Sequence, residues 1–245
     1  MFKNMAILQV LFVIAGVALV VVVGYFGWMA AKKRRDALAA LADELGWTFD
    51  PGRDTSHDDE YAHFEIFRRG SNRAAYNTLW GDMAIGGRAY PAKMGDFKYD
   101  VTTSNGKTTT TTTYRFSYLI IHLPFVGVPD LLIRREGMFD KIAGAFGFDD
   151  IDFESSEFSR KFFVKCRDKR FAYDVVHPRM MEFLVVAASP TVDIERGRCC
   201  ISDGSRVWKP EEFRGRMAWL TSFFELWPSH LTRELEIRAE REGVA

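Results

Sequence analysis

The sequence predicts an α+β protein in which one N-terminal transmembrane helix is followed by a mainly antiparallel-sheet domain with packed helices. Residues 4–31 form an uncharged, strongly apolar run. Residues 74–135 are rich in β-branched and aromatic residues and contain Asn105-Gly106, a strong hairpin signal. The second half shows helical apolar spacing that begins at Pro178 and Pro210. Together these three patterns favour a sheet domain with helices, attached to a membrane helix.

The apolar run 4–31 is long enough to cross a bilayer. As a helix it would extend roughly 40 Å at about 1.5 Å per residue, against a hydrocarbon core of about 30 Å. Tyr25 and Trp28 lie where an interfacial aromatic belt is expected. A buried core helix rarely continues so far without charge, and a cleaved signal peptide has a shorter apolar stretch and a small-residue cleavage site. We therefore interpret residues 1–31 as a retained transmembrane anchor.

A basic run follows the anchor directly and consists of Lys32, Lys33, Arg34 and Arg35. Only Lys3 precedes the apolar run, so the positive-inside rule predicts a single-pass protein of the inner (cytoplasmic) membrane of a bacterium, with the C-terminal body in the cytoplasm. Binding of anionic lipid is an alternative role for the basic run, although setting the topology is sufficient to explain it. Gly16, Val20 and Gly24 share one helix face and would allow a homo-oligomer through a second helix.

The chain divides into four predicted parts. They are the anchor at 1–31, a juxtamembrane amphipathic helix at 32–46, an α+β cytoplasmic body at 47–228 with a sub-boundary near 136–150, and a charged helical tail at 229–245. In the second part, one helical face carries Leu38, Leu41, Ala42 and Leu45. Gly46 is a natural C-terminal stop for that helix.

The first half of the body reads mainly as strands. Predicted strands cover residues 47–49, 61–67, 76–80, 87–90, 97–101, 108–123 and 131–133, with a loop at 51–52 and a short helix at 138–146. Six consecutive threonines, 108–113, cannot all belong to one side of a strand. We therefore expect the hairpin tip around Asn105-Gly106 to project from the sheet.

The second half alternates between helices and hairpins. Predicted elements are a short helix at 157–162, a strand at 164–166, a turn at 168–169 with a return through 171–176, a helix at 179–188, a hairpin at 192–202, a helix from Pro210 to about Leu226, and a helical tail at 231–242. His177 would cap the helix at 179–188, with Pro178 in its first turn. Glu182 is the one charge after its start, so we expect that helix to be buried on nearly all sides.

Residues 158–182 follow the pattern F-x3-F-x-V-x3-D-x3-A-x5-P-x2-M-E. The pattern is carried by Phe158, Phe162, Val164, Asp168, Ala172, Pro178, Met181 and Glu182. It resembles a motif of an uncharacterised bacterial family of membrane-anchored domains of unknown function, in which an N-terminal hydrophobic segment precedes the same spacing. The resemblance implies a membrane-anchored domain and brings no catalytic residue. Physically the motif is typical of a fold-forming element, with two aromatic residues, a turn aspartate and a proline-started helix.

A metal site is the chief catalytic alternative. On an extended strand, Asp59, His63 and Glu65 would share one face, close to His57. Phe64 and Ile66 alternate with them, which indicates simply the solvent-facing side of a half-buried strand. Cys166, Cys199 and Cys200 form no disulfide framework and agree with a reducing compartment. Neighbouring cysteines on a strand point to opposite faces.

The remaining sequence excludes several classes of function. Lys plus Arg and Asp plus Glu balance at 33 each, so no net field attracts nucleic acid. The sequence contains no phosphate loop, dinucleotide fingerprint, nucleophile elbow, H-E-x-x-H or C-x-x-C motif. We therefore predict a non-catalytic cytoplasmic module with no cofactor, held at the lipid bilayer, that binds a protein partner or serves as an accessory subunit of a membrane complex. The alternative is a membrane-tethered enzyme that uses the metal candidates.

Overall fold

The structure is a computed structural model that describes residues 2–136, 151, 153–187 and 189–241, with side chains from residue 14 onwards. In chain order its elements are α1 (Phe2–Leu45), β1 (Thr48–Asp54), α2 (His57–Glu60), a 3₁₀ turn η1 (Glu65–Arg68), β2 (Ser71–Ile85), β3 (Arg88–Ser104), β4 (Thr109–His122), β5 (Leu131–Arg135), α3 (Ser156–Lys161), β6 (Phe162–Cys166), α4 (Lys169–Val175), α5 (Pro178–Val186), β7 (Thr191–Glu195), β8 (Arg198–Ser202), α6 (Pro210–Glu225) and α7 (Ser229–Arg241). The helix expected at 138–146 lies outside the described residues.

Helix α1 continues without a break for 44 residues. Within the described part of the chain it is the one helix whose length and composition suit a membrane span, and its most apolar stretch is wholly exposed. The expected α+β class with one N-terminal candidate span is confirmed. The helix ends as expected before Gly46, whose φ of +67° suits a residue without a side chain.

The eight strands form one sheet in the order β1-β2-β3-β4-β8-β7-β5-β6. Every neighbouring pair is antiparallel. The Asn105-Gly106 hairpin is confirmed, with Ser104 paired to Thr109. The short predicted strands at 76–80 and 87–90 were too brief, because β2 continues through Gly81 to Ile85. Strand β1 likewise passes the expected loop at Pro51 by a register shift between Asp50 and Arg53.

The two faces of the sheet carry two separate cores. The larger core lies under the end of α1 and helices α3 to α7, and it includes Leu38, Ile133, Phe162, Leu184 and Phe223. The smaller core on the opposite face is aromatic, and it includes Tyr61, Phe64, Phe67, Phe97 and Tyr118. Cys199 belongs to the first core and Cys200 to the second, so these neighbours do point to opposite faces.

The strand expected at 61–67 was wrong, because the chain forms a turn over residues 61–63 and the 3₁₀ turn η1 begins at Glu65. Tyr61, Phe64 and Phe67 are all buried in the aromatic core. Their spacing of three residues is the period of a 3₁₀ helix, whereas a strand would alternate them between its faces. The alternation of Phe64 with His63 and Glu65 that indicated a strand is therefore incidental.

The helix expected at 179–188 was wrong in its burial. Helix α5 buries only Met180 and Leu184, one turn apart, while Val186 is 87% exposed. Met181, Phe183 and Val185 are only partly buried against the same core, because a nine-residue helix at the surface fully buries one stripe. His177 does stand at the N-cap with Pro178 following, as expected. Residues 171–176, expected as a return strand after a turn, belong instead to α4 and its C-cap.

The last helices follow the predicted pattern. Helix α6 buries Phe213, Leu220, Phe223 and Phe224, and Met217 packs against the same core. Helix α7 is charged outside and buries Leu231, Leu235 and Ala239. The hairpin of β7 and β8 turns at Arg196-Gly197, which have φ values of 50° and 71°. Both values suit the two-residue hairpin turn that the sequence predicts.

Candidate functional site

The candidate functional site is the place where α1 joins the body, which we call the helix joint. It consists of Arg34, Asn77, Asp96, Ser117 and Trp208. Arg34 donates to both carboxylate oxygens of Asp96, with Nε–Oδ2 at 2.8 Å and Nη2–Oδ1 at 2.6 Å. Its remaining Nη1 donates to the carbonyl oxygen of Trp208 at 2.6 Å. Arg34, one residue of the basic run, thus binds the sheet domain directly.

Asp96 is the centre of the helix joint and is fully buried. Besides the guanidinium, it accepts hydrogen bonds from Asn77 Nδ2 at 3.0 Å and Ser117 Oγ at 2.6 Å. Ser117 Oγ in turn accepts from the backbone N–H of Trp208 at 2.9 Å. A buried carboxylate is tolerated when it is paired and its lone pairs are satisfied, and both conditions hold here.

Local sequence explains why the joint forms at this position. Asn77 has a φ of 51° and lies at the register shift between Tyr76 and Leu79, which turns its amide towards Asp96 on β3. Gly95 lets β2 approach closely, since a Cβ there would lie 3.0 Å from the carbonyl oxygen of Asn77. The bulge and the glycine therefore create room for one polar cluster inside a sheet of apolar residues.

Further contacts fix the C-terminal end of α1 to the body. Leu38, Leu41 and Ala42 are buried in the larger core. Trp47, just after the helix, donates its indole N–H to the carbonyl oxygen of Asp82 at 3.1 Å. A salt bridge joins Arg214 of α6 to Glu44. The anchor is consequently continuous with a helix that forms part of the core of the domain.

The predicted topology residues divide between two environments. Lys32 and Lys33 are exposed, whereas the side chain of Arg34 is only 19% exposed and Arg35 is half-buried. The sequence assigned all four to topology and gave no sign that Arg34 also pairs with a buried acid. Asp96, Asn77 and Ser117 were missed as well, because a single aspartate in a strand carries no long-range signal. Only the fold brings Asp96 within reach of a residue 62 positions away.

A second feature is an apolar cleft beside α5, with a volume of about 620 Å³. Its apolar lining is formed by Phe153, Tyr173, Pro178, Met181, Val185 and Val186. Three acidic residues, Glu154, Glu157 and Glu182, stand at its rim, and all three are exposed. His177 closes one side and its Nε2 lies 2.9 Å from the carbonyl oxygen of Leu226. Such a cleft is large enough for a few side chains of another molecule.

The motif at 158–182 divides between the core and this cleft. Phe158 and Phe162 are buried and stacked, with ring centroids 5.0 Å apart, and Val164 and Ala172 are also buried. Asp168 caps α4, because its carboxylate accepts from the backbone N–H of Phe171 at 3.0 Å. Pro178, Met181 and Glu182 instead line the cleft. The first part of the motif therefore builds the fold, and its last part faces outwards.

The metal candidates do not form a ligand set. No group of three or more His, Cys, Asp or Glu residues able to hold a metal ion occurs within the described ranges. His57 is fully buried among the rings of Tyr61, Phe67, Phe97 and Tyr118, while Asp59 is exposed. The expected shared strand face was wrong, because these residues lie on helical turns.

Burial controls the ionisation of these histidines and of the thiols. Burial, together with the positive charge of Lys93, lowers the pKa of His57 to about 3. Burial and the positive charge of Arg198 likewise lower the pKa of His63 to about 4. Both imidazoles are therefore neutral at physiological pH. Burial raises the pKa of the Cys166 thiol to about 11, and all three cysteines are free and buried. Protonated, buried thiols are inert packing groups.

Comparisons with known proteins give a fold relationship. No protein-family model and no curated relative matches the sequence. The structure is similar to the crystal structure of the mycobacterial trehalose monomycolate transport factor A, with a TM-score of 0.50 and 10% sequence identity. The match covers 81% of this chain and 96% of that chain. At this identity the likeness establishes a shared fold, which is that of a factor named for a transport process.

Proposed function

We propose that this chain is a non-catalytic, single-pass membrane module whose body lies on the cytoplasmic side of a bacterial inner membrane and serves as an accessory subunit of a membrane complex. One observation carries the proposal. The same uninterrupted helix exposes an apolar surface over its first part and is buried in the domain core over its last part. A helix so exposed in water would aggregate, and a bilayer is the solvent that suits it.

The helix joint makes the anchor a rigid one. A flexible linker would let the body move freely. Here Arg34, at the basic run itself, and Leu38 and Leu41, one and two turns later, bind the helix to the body. A domain held in this way keeps a fixed orientation and a fixed distance relative to the membrane. That property suits an accessory subunit, and the shared fold with a transport factor agrees with it.

The apolar cleft is the surface that we assign to a protein partner. Val186 is 87% exposed and Tyr173 is 50% exposed at its edge, so apolar area remains for a partner to cover. We also propose that the motif at 158–182 marks membership of the uncharacterised membrane-anchored family that it resembles. In that case Pro178, Met181 and Glu182 would be its partner-facing positions.

Membrane topology tests the first part of this proposal. A reporter active only in the periplasm, fused after Ala245, should be silent, while a reporter active only in the cytoplasm should work. The four basic residues after the span and the three free, buried thiols both support a cytoplasmic body. An active periplasmic reporter would show that the body lies on the periplasmic side and would contradict the proposed orientation.

Site-specific crosslinking tests the second part. A photo-crosslinking residue at Val186 should give a discrete adduct in cell membranes. Ile237 of α7 is a matched control, since it is also apolar and 42% exposed but does not line the cleft. Adducts of equal intensity at both positions would mean random collisions, and no adduct at Val186 would remove the cleft from the proposed function.

A further inference from the structure

The hairpin of β3 and β4 extends well beyond the rest of the sheet. Strand β2 begins at Ser71 opposite Asp100, so only two strands continue from there to the turn. We call residues 101–112 the hairpin end. From residue 102 onwards its side chains are all exposed, on both faces. The Asn105 side chain closes the turn by accepting from the backbone N–H groups of Lys107 and Thr108 at 3.1 and 2.8 Å.

Two contacts fix the direction of α1 relative to these strands. Arg34 binds Asp96 on β3, and Trp47, just after the helix, binds Asp82, which pairs with Pro91 on β3. The helix advances about 17 Å from Arg34 to its end at Leu45, at about 1.5 Å per residue. Strand β3 covers about 17 Å from Asp96 back to Pro91, at about 3.4 Å per residue. Thr48, just after the helix, opens β1, which lies two strands away from β3, so the helix runs in the direction from Asp96 to Pro91 while crossing the strands obliquely.

This arrangement directs the hairpin end towards the membrane. The C-terminal end of α1 lies at the Pro91 end of β3, and its membrane end therefore lies in the direction from Asp96 to Ser104. Trp28 stands about 9 Å above Arg34 along the helix, at about 1.5 Å per residue. The strands continue for about 27 Å of chain from Asp96 to Ser104, at about 3.4 Å per residue, and because they are twisted and oblique to the helix only part of this length is directed along it. Even a strongly twisted ribbon would reach the level of Trp28.

The composition of the hairpin end suits the headgroup layer and no deeper one. It consists mainly of Thr, with Ser, Asn and Gly, and its single charged residue is Lys107. An open two-stranded edge with unpaired backbone groups cannot enter hydrocarbon. Hydroxyl groups and an ammonium group can donate to lipid phosphate oxygens, which lie in the adjacent layer. Tyr99 and Tyr114, stacked with ring centroids 5.3 Å apart below this end, are amphipathic residues typical of an interface.

We propose that the hairpin end is a second membrane contact, which rests among lipid headgroups on the side that carries the body. It rests on the proposed function, since it requires α1 to span the bilayer. With the helix joint, it would support the domain at two points and prevent it from pivoting about the anchor. In this arrangement the threonine run forms a surface that contacts lipid headgroups.

The test uses the full chain reconstituted in phosphatidylethanolamine and phosphatidylglycerol vesicles that contain lipid spin-labelled at the headgroup. A fluorophore is attached to Lys107→Cys in the hairpin end or to Ala89→Cys beside the opposite turn of β3. Both positions are exposed, and the native cysteines are buried, so unsubstituted protein measures the background labelling. The two labels are separated by more than 15 residues of strand, or roughly 50 Å.

Quenching at Lys107→Cys that is severalfold stronger than at Ala89→Cys supports the proposal. Equal quenching at both positions would mean that the body lies flat on the bilayer, and it would overturn the proposal. Weak quenching at both, in protein that resists carbonate extraction, would also overturn it while leaving the anchor intact. If carbonate extracts the protein, the anchor itself fails, and the two failures are thereby distinguished. Protection of Lys107→Cys from a thiol reagent in native membranes but not in these vesicles would indicate a protein contact instead of lipid and would equally overturn the proposal.

Discussion

Removal of Arg34 should destabilise the domain far more than removal of any other residue of the basic run. Arg34→Ala leaves the fully buried Asp96 carboxylate without its cation, with only Asn77 and Ser117 as donors. Breaking one partner of a buried ion pair costs roughly 3–5 kcal/mol. The Arg34 side chain is 19% exposed, so partial solvent screening places the expected loss near the lower limit, about 3 kcal/mol.

Thermal unfolding of the full chain in detergent micelles measures this loss. Lys33→Ala is the matched control, because Lys33 belongs to the same basic run and is exposed. It should change the free energy of unfolding by less than about 0.5 kcal/mol. A loss of about 3 kcal/mol in a domain of ordinary stability, about 5–15 kcal/mol, is a large part of the total and lowers the melting temperature by several degrees.

A double variant separates pairing from packing. Arg34→Met with Asp96→Leu removes both charges together. The double variant should lose much less stability than the sum of the losses in Arg34→Met alone and Asp96→Leu alone. If Arg34→Ala and Lys33→Ala behave alike, the ion pair does not hold the helix to the sheet, and the rigid anchor has to be abandoned. Strictly additive effects in the double variant would show that the two side chains act independently.

Three other changes test the anchor, the core and the buried histidine. Arg at both Val17 and Val20 should cost roughly 5–7 kcal/mol of insertion free energy and shift the protein to the soluble fraction after carbonate washing. Phe162→Ala should cost about 3–5 kcal/mol in thermal unfolding, whereas Tyr173→Ala, at a half-exposed ring, should cost much less. Because the pKa of His57 falls from 6.5 unfolded to about 3 folded, its stabilising contribution is complete above pH 6.5. On acidification it should be lost at roughly 1.4 kcal/mol per pH unit, and His57→Phe should remove that part of the acid sensitivity.

Patterns of local period predicted most elements of the fold. The apolar run and basic cluster predicted α1, Asn105-Gly106 predicted the β3–β4 turn, and Pro210 marked the start of α6. Each of these signals is local, because hydrophobic spacing, turn chemistry and proline geometry act within a few residues. The prediction for segment 61–67 failed because two sequence periods compete there. The alternation at 63–66 predicts a strand, whereas the aromatic spacing of three residues predicts helical turns, and the structure follows the second.

Burial could not be predicted for α5 on the same basis. Its sequence is almost uniformly apolar, yet only one stripe is buried. Whether an apolar residue faces a core or a cleft depends on which elements pack against it, and neighbours distant in sequence decide that. The metal candidates were misleading for the same reason, since the fold places His57 inside an aromatic core.

The sequence by itself determined that this protein has one membrane-suited helix, an antiparallel sheet and helices that begin at prolines, because each follows from short-range chemistry. Only the tertiary structure decided how the anchor is joined to the body. Arg34 and Asp96 are 62 positions apart, and Arg34 and Trp208 are 174 apart. Such contacts depend on sheet order and on the path of α1 across the sheet, which no local pattern encodes. The same path places the threonine hairpin of β3 and β4 on the side of the domain from which the N-terminal part of α1 leaves it.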